Sequence, residues 1–340
     1  MAFVAMMFAP LAFAPSSALL RPAVPVPAPV PSRPLAGHRP SRARWEVRTP
    51  TARQAGYGGR QQNKFDFLFG VYPVLYALRA RKRKCVQLWK LSESSGDKPF
   101  SPKDTKARDE IERMGREMDI KVSGASRKYL DELSGDRPHQ GFVLKAQRMH
   151  QEDLEVLPAP KPGEIWIGLE GVTDPINLGS ALRTAAFFGA SGVVAEHGSA
   201  KLSAVASKTS AGAGELLPMF GCESLPGVLT QAKAAGWHVV GAALAGPAGE
   251  AASSLDEFVA RREGAGGLVL VLGSEGAGLR PEVCSACNSL LCIPGGDADI
   301  DSLNVGVAAG IMIHAMRTAL GPAQRPASAQ AQAPTAARPP

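Results

Sequence analysis

The sequence of 340 residues contains neither a disulfide framework nor a long unbroken apolar run. Its five cysteines are an odd number, and their spacing matches no disulfide framework, which indicates a reducing compartment. The apolar opening, residues 1–20, is interrupted by prolines and is too short to cross a bilayer. These absences argue against a disulfide-stabilised secreted domain and against a membrane protein.

A metal site and a dinucleotide site are also poorly supported. Cys284 and Cys287 form a CxxC pair, but no second cysteine pair or nearby histidine completes four zinc ligands. We therefore interpret them as packed cysteines and predict no metal. The GxGxxG fingerprint of a dinucleotide fold is missing as well. A nicotinamide oxidoreductase is therefore an alternative with little support in this sequence.

The first 45 residues contain five arginines but no Lys, Asp or Glu. Ala, Pro and Ser fill much of the rest. An acid-free leader that carries Arg and Ser is typical of an organellar transit peptide. We predict such a leader, or a disordered arm, over residues 1–60. The apolar opening could also be the first stage of a plastid address, so mitochondrion and plastid both stay open.

The net charge of +7 is unevenly distributed along the chain. Residues 61–150 hold 19 Lys and Arg against 12 Asp and Glu, whereas residues 151–340 hold 11 against 18. A basic segment beside an acidic one suits a domain that binds a polyanion and delivers it to a separate active site. The alternative is that charge merely fluctuates along the chain.

The sequence predicts a small α/β domain over residues 64–150. Apolar residues at helical spacing follow Pro73, which suits the first turn of a helix. Residues 85–91 alternate like a strand, residues 107–120 are typical of a charged helix, and a closing strand is expected at about 141–146.

A second α/β domain is predicted over residues 165–320. Apolar strand-like runs alternate there with helical runs, which indicates a mainly parallel sheet. Residues 151–164, rich in Pro and polar residues, are typical of a semi-rigid linker. The tail, residues 321–340, has too little apolar surface to order itself.

Three blocks in the second domain combine Gly, Asn and charged residues with apolar strands. Residues 167–194 contain a strand and a helix start, 268–294 place a Gly-rich turn after LVLVL, and 301–316 place a polar segment before an apolar helix. Gly lets backbone approach a ligand, and helix starts favour anions. Each block alone is equally an ordinary turn or cap; together they indicate a site. The polar candidates are Asn177, Arg183, Glu275, Ser302 and Asn304.

In order and content, these blocks resemble the signatures of the SpoU branch of the SPOUT RNA methyltransferases. The strings LGSEGAGLRP (272–281) and SKTSAGAGELLPMF (207–220) extend the likeness. The resemblance implies a deep trefoil knot, S-adenosyl-L-methionine as cofactor and a homodimer. Knots are nearly absent from proteins, so local patterns would not predict this topology. More weakly, residues 65–148 resemble the ribosomal-protein-like RNA-binding domain of the RlmB and mitochondrial rRNA methyltransferase subgroup.

By matching position, the resemblance implies roles for individual residues. Cofactor contacts, largely through backbone, fall on Gly273, Ile293 and Leu303. The substrate and catalytic set falls on Asn177, Arg183, Glu275, Ser302 and Asn304. The family assigns the hydroxyl proton to the arginine that matches Arg183. Because a guanidinium ordinarily keeps its proton, we expect Arg183 to hold phosphate and stabilise a developing alkoxide.

The sequence departs from the family pattern at four places. Gly295 replaces a common Met, Asn288 a frequent Asp and Gly306 a frequent Ser, and the loop between Ile293 and Leu303 is one residue longer than in RlmB. No central polar residue is lost.

The prediction is therefore 2′-O-methylation of a guanosine in organellar large-subunit rRNA, with the mitochondrion slightly favoured by the resemblance. The alternative is a catalytically silent RNA-binding ribosome-assembly factor of the same fold. RNA contacts are expected from a cationic run and from a His-Gln-Gly triplet at a strand entrance. A solvated helix end would explain the cationic run equally well, and an ordinary turn would explain the triplet equally well. The candidates are Arg79, Arg81, Lys82, Arg83, Lys84 and His139.

Overall fold

A computed structural model describes residues 64–92, 102–243, 252–261, 266–274, 276–295 and 302–321. The predicted leader, Glu275 and nearly all of the predicted tail lie outside these ranges. The described residues all belong to one compact unit, which contains two sheets that follow one another along the chain. Within the described ranges, no helix has both the length and the apolar character that crossing a membrane requires.

The first sheet has four strands in the order β1-β4-β2-β3. Strand β4 is antiparallel to β1 and to β2, whereas β3 is parallel to β2. Its helices cover a core that includes Leu78, Ile111 and Leu144. The elements are β1 (Phe65–Phe69), α1 (Val71–Ala80), β2 (Cys85–Leu91), α2 (Pro102–Glu117), β3 (Lys121–Ala125), α3 (Arg127–Ser134) and β4 (Phe142–Gln147).

The sequence predicted this domain as α/β, and its helices α1 and α2 and strands β2 and β4 are confirmed. It missed β1, β3 and α3. Helix α1 begins at Val71, so Pro73 lies in its first turn, where no amide hydrogen bond is lost. Strand β1 was not predicted, because this five-residue strand and the helix directly after it form one apolar run in the sequence.

The second sheet has seven strands in the order β7-β6-β5-β10-β8-β11-β9, and every pair of neighbours is parallel. This confirms the predicted mainly parallel α/β domain. The elements are β5 (Ile165–Leu169), α4 (Pro175–Phe187), β6 (Gly192–Glu196), α5 (Ala204–Thr209), α6 (Ala213–Leu216), β7 (Met219–Cys222), α7 (Leu225–Ala234), β8 (His238–Ala242), β9 (Ala252–Ser254), α8 (Leu255–Arg261), β10 (Leu268–Leu272), α9 (Pro281–Ala286), β11 (Ser289–Cys292) and α10 (Val305–Leu320).

Strands β5 and β10 lie in the middle of this sheet, and all their residues are buried. Alternate side chains enter opposite cores, because successive residues of a strand point to opposite faces. Ile167 packs in the cluster that contains residues of α4 and α10, whereas Trp166 packs in the cluster that contains residues of α7 and α9. Burial on both faces explains why these strands are continuously apolar.

The Pro-rich segment 151–164 lies along the second sheet. The amide of Leu154 donates to the carbonyl of Gly221, and the amide of Gly221 donates to the carbonyl of Glu152, each at 2.8 Å. Leu157 is buried, and Trp237 Nε1 donates to the carbonyl of Pro158 at 2.8 Å. The interpretation of this segment as a linker between two domains stays a prediction.

Candidate active site

The carboxyl ends of β5 and β10 meet at one edge of the parallel sheet. Leu272 pairs with Leu169, so Gly273 and Glu170, the residues that follow, leave the sheet together. This is the edge at which open α/β sheets bind ligands. Ile293 directly follows β11 and is half-buried against the core that contains Ile167 and residues of α4 and α10. Gly273 and Ile293, both predicted cofactor contacts, thus follow parallel strands of one sheet.

Gly273 begins a turn that no other residue fits without rearrangement. A Cβ there would lie 2.4 Å from the carbonyl carbon and oxygen of Gly278 and 2.8 Å from the amide of Leu279. The turn is closed by the Gly278 amide, which donates to the Ser274 carbonyl at 3.0 Å. Gly273 itself offers only backbone at the sheet edge, which suits the predicted backbone contact with a cofactor.

Asn177 and Asn304 join the first block to the third. Asn304 Nδ2 donates to Asn177 Oδ1 at 2.9 Å, and Asn304 Oδ1 accepts from the Gly306 amide at 2.9 Å, which caps α10. Asn177 is buried near the start of α4, a helix capped by Asp174. The amino ends of α4 and α10 are therefore adjacent, and helix amino ends favour a negatively charged ligand.

Arg183 lies on α4 with its side chain exposed. Arg183 comes six positions after Asn177 in the helix, which places the two side chains about 120° apart around the helix axis. Among the residues that the structure describes, none forms a hydrogen bond or ion pair with its guanidinium. An exposed, unpaired guanidinium on the helix that carries Asn177 is suited to binding a phosphate.

The remaining predicted residues are only partly placed. Ser302 is exposed and takes part in an interaction, and Leu303 is exposed just before α10. Glu275 lies outside the described residues, as does most of the long loop before Leu303. Five of the predicted residues are therefore positioned by elements that the structure describes: Asn177, Arg183, Asn304, Gly273 and Ile293.

Sequence reasoning missed an ion-pair network that holds the far end of the Gly273 turn. Arg280 Nε donates to Glu170 Oε1, its amide donates to Glu170 Oε2 at 3.0 Å, and its Nη2 donates to Glu196 Oε2 at 2.5 Å. The hydrogen bond to Glu170, with that to Glu196, raises the pKa of Arg280. No local pattern predicts this network, because Glu170 and Arg280 lie 110 residues apart in the chain.

Two of the predicted RNA contacts are wrong. Arg83 has a fully buried side chain that pairs with Glu215 and Asp66. His139 is buried, its Nδ1 accepts from the Gly141 amide at 2.9 Å, and its Nε2 lies 3.2 Å from Asp131 Oδ1. Burial lowers the pKa of His139, which favours the neutral ring. A run of cations does not indicate which of them face inward.

The other cations of the run differ in availability. Arg79 forms a two-point ion pair with Glu110, at 2.9 and 2.6 Å. Lys82 Nζ donates to the carbonyl of Leu216 at 3.0 Å. Arg81 and Lys84 are exposed, and neither side chain has a hydrogen-bond or ion-pair partner within the described ranges. These two are the best remaining candidates for RNA phosphate contacts.

A cavity lies away from the three blocks, and the described residues contain no candidate metal cluster. A cavity of about 420 Å³ lies where the first domain meets the second, lined by residues such as Lys82, His150, Lys201 and Phe220, none of which belongs to the three blocks. In the described parts of the chain, no group of three or more His, Cys, Asp and Glu residues could hold a metal ion. Burial raises the pKa of the Cys287 thiol to about 12, consistent with a packed cysteine.

Comparison with known proteins agrees with this geometry. The model of the SpoU rRNA Methylase family matches residues 164–314, and that of the RNA 2'-O ribose methyltransferase substrate binding domain matches residues 67–151. The human protein "rRNA methyltransferase 1, mitochondrial" is 34% identical over 273 residues, which cover 75% of this chain and 73% of the human one. The chain belongs to the SpoU rRNA methylase family. Membership in this family implies the trefoil knot.

Other members show the same relationship. The "23S rRNA (guanosine-2'-O-)-methyltransferase RlmB" of Shewanella oneidensis is 32% identical over 74% of this chain and 96% of its own length. An AdoMet-bound rRNA methyltransferase from Sinorhizobium meliloti has a TM-score of 0.59 at 23% identity, covering 75% of this chain and 87% of its own. At that identity the structural likeness shows the fold alone.

Gly306, where the family frequently has Ser, is explained by the packing of α10 on α4. A Cβ at Gly306 would lie 2.2 Å from Ser180 Oγ and 2.6 Å from Ser180 Cβ. The hydroxyl can rotate, but the Cβ of Ser180 is held by the helix. The close approach of the two helices at the site therefore requires Gly at one of these positions.

We expect Gly306→Ala to lower the free energy of unfolding by about 1–3 kcal/mol, because it overpacks this contact. Ser180→Gly in the same chain should recover part of the loss. Gly310→Ala is the control on the same helix, since an added Cβ there meets nothing within 4 Å. Urea unfolding of the variants measures the effect, and equal stability of Gly306→Ala and Gly310→Ala would contradict it.

Proposed function

We propose that this protein transfers a methyl group from S-adenosyl-L-methionine to the 2′-oxygen of a guanosine in organellar large-subunit rRNA. The observation that carries the proposal is the hydrogen-bonded pair Asn177–Asn304 beside the Gly273 turn, in a chain of the SpoU family. Relatives named as rRNA methyltransferases, two of them at 32–34% identity over about three quarters of the chain, support the substrate class.

The residues at the sheet edge fit an adenosylmethionine. The Gly273 turn offers backbone groups, and Ile293 and Leu303 offer apolar side chains that are not fully buried. The bound cofactor supplies a methyl group on a positively charged sulfur. The chain has to hold the ribose hydroxyl in line with that methyl, because orientation supplies much of the rate enhancement in a two-reactant step.

Asn177 and Arg183 have distinct roles in this proposal. The buried amide of Asn177, held by Asn304, keeps the amino ends of α4 and α10 together. Arg183 binds the phosphate beside the target ribose and stabilises the charge that develops on the 2′-oxygen. A guanidinium retains its proton in proteins, so electrostatic stabilisation is its stronger role.

The alternative function, a catalytically silent assembly factor of the same fold, is less well supported. Asn177, Arg183, Ser302 and Asn304 are all present in the chain, and Asn177 and Asn304 are paired. A methyl-transfer assay on rRNA separates the two functions.

The proposed compartment is the mitochondrion. Relatives from human, Dictyostelium discoideum and Schizosaccharomyces pombe are each named "rRNA methyltransferase 1, mitochondrial". The Arg-bearing, acid-free composition of residues 1–45 is consistent with an organellar address. Fractionation of cells that express the tagged full chain would test the compartment.

An exposed apolar stripe on α10 supports the proposed homodimer. Leu303, just before α10, and Val307 and Ile311 on that helix are 45%, 51% and 39% exposed. The spacing of four residues places Val307 and Ile311 on one face of the helix. Phe187, near the end of the adjacent α4, is 82% exposed. A second copy that covers this stripe would bury apolar surface that a monomer leaves in water.

We expect Arg183→Ala to abolish methyl transfer while leaving cofactor binding nearly unchanged, because the cofactor contacts are proposed to be backbone ones. A radiolabelled-methyl assay and calorimetry with S-adenosylhomocysteine measure the two properties. Arg183→Lys, which keeps the charge but not the planar fork, should retain partial activity. Turnover of Arg183→Ala within about tenfold of the parent, roughly 1.4 kcal/mol of barrier, would exclude the catalytic role.

The full chain should sediment as a dimer at micromolar concentration, and Val307→Glu with Ile311→Glu should convert it to a monomer, because the stripe would then carry four charges in the dimer. The matched control is Val156→Glu, since Val156 is 50% exposed but belongs to the segment 151–164 and not to α10. A monomeric parent protein, or a dimeric stripe variant, would refute this interface.

Replacing Arg81 and Lys84 by Gln should weaken rRNA binding and reduce the salt dependence of the binding constant. Two lost phosphate contacts should lower the logarithmic salt slope by about 1.5. Lys106→Gln with Lys121→Gln, exposed lysines of the same domain outside the run, is the control for net charge. If both double variants have the same affinity and slope, the run has no special role.

A further inference from the structure

We propose that Arg83 is a positioning residue: its buried ion pair with Glu215 fixes the RNA-binding domain on the methyltransferase domain, and thereby sets where bound RNA meets the site on α4. The proposal rests on the proposed function above. It concerns the placement of the substrate, since Arg83 itself contacts neither RNA nor cofactor.

Arg83 uses all of its donors inside the protein. Its Nε and Nη2 donate to the two carboxylate oxygens of Glu215 at 2.8 and 3.1 Å. Its Nη1 donates to Asp66 Oδ2 at 2.8 Å and to the Gln147 carbonyl at 3.2 Å, and Nη2 also donates to the Leu202 carbonyl at 3.3 Å. A guanidinium has five N–H donors, so the group is fully satisfied.

These partners come from both domains. Asp66 and Gln147 belong to β1 and β4 of the RNA-binding domain, whereas Leu202 and Glu215 belong to the methyltransferase domain. The side chains of Arg83 and Glu215 are each 0% exposed. The Arg83–Glu215 pair, which we name the docking ion pair, is therefore sealed from solvent at the contact between the domains.

Close contacts on either side of the docking ion pair extend this interface. A Cβ at Gly212 would lie 2.6 Å from the carbonyl oxygen of Tyr72, so α1 meets the backbone before α6 directly. Lys208 Nζ, on α5, donates to Gln140 Oε1 at 2.8 Å. The His-Gln-Gly triplet thus contacts the methyltransferase domain through Gln140, while His139 stabilises the turn internally.

The same segment of the methyltransferase domain packs against α4. A Cβ at Gly179 would lie 2.6 Å from Thr209 Cβ and 2.7 Å from the carbonyl oxygen of Ala206, so α5 rests on the first turns of α4. Asn177 and Arg183 lie on that helix. A continuous chain of packed contacts therefore leads from Arg83 through Glu215 and α5 to the proposed catalytic helix.

The chemistry of the docking ion pair favours a role in geometry over one in stability. Burying two charges costs solvation energy that their attraction only partly returns, so an apolar pair of similar volume often preserves stability. A bidentate Arg–carboxylate pair, in contrast, fixes distance and orientation together. An apolar pair in its place would leave the interface free to shift.

The test uses a double variant of the full chain that carries both Arg83→Met and Glu215→Met. This double variant is compared with the parent protein. We expect the S-adenosylhomocysteine and rRNA dissociation constants to stay within about twofold, because neither residue contacts either ligand. The single-turnover methylation rate at saturating rRNA should fall at least tenfold, and small-angle scattering should show a larger radius of gyration. The control is Arg113→Met with Glu117→Met, an exposed ion pair within α2, which should change none of these.

Arg83→Lys is the second variant, because it keeps the buried charge but loses the two-point geometry. It should fold even if the double variant does not, and its rate should lie between those of parent and double variant with unchanged dissociation constants. If either variant folds and its single-turnover methylation rate equals that of the parent, the proposal is overturned. It is also overturned if the rate falls only because rRNA binds more weakly. A parent protein that methylates no rRNA would instead refute the proposed function.

Discussion

The parallel pairing of β5 with β10 is the interaction on which the rest of this protein depends. About a hundred residues separate the two strands in the chain, yet Leu169 and Leu272 are partners in register at the middle of the sheet. Since both strands are buried on both faces, a slip of one residue would exchange their two apolar faces. This register brings Glu170 and the Gly273 turn to the same edge, where Arg280 joins them.

Two kinds of polar contact hold the structure around the site, and they serve different purposes. The Asn177–Asn304 hydrogen bond and the Arg280 network hold local geometry around the proposed cofactor site. The docking ion pair acts over a longer range, between the domain that is proposed to bind RNA and the domain that carries the chemistry. The docking ion pair and Asn177 are buried and hydrogen-bonded, as the cost of an unpaired polar atom in a core requires.

Much of the fold was predictable because its signals are local. Buried parallel strands are continuously apolar, so β5, β8 and β10 could be located from sequence, as could α4 and the charged helix α2. Short elements such as β9 and α6 carry too few residues to show a period. Glycines in the three blocks mark positions where a side chain does not fit. A Cβ at Gly273 or Gly306 would lie only 2.2–2.4 Å from the nearest atom.

The sequence by itself determined the fold class, the order of the blocks and the residue types at the site, since apolar periodicity, helix caps and glycine turns are properties of short segments. Only the tertiary structure decided which charged residues face water. Arg81, Arg83 and Lys84 are neighbours in one cationic run, yet Arg83 alone of these three turns into the interface to meet Glu215. Its partner lies 132 residues away in the chain. No local pattern encodes such a contact, because burial of a charge depends on which distant segment folds over it.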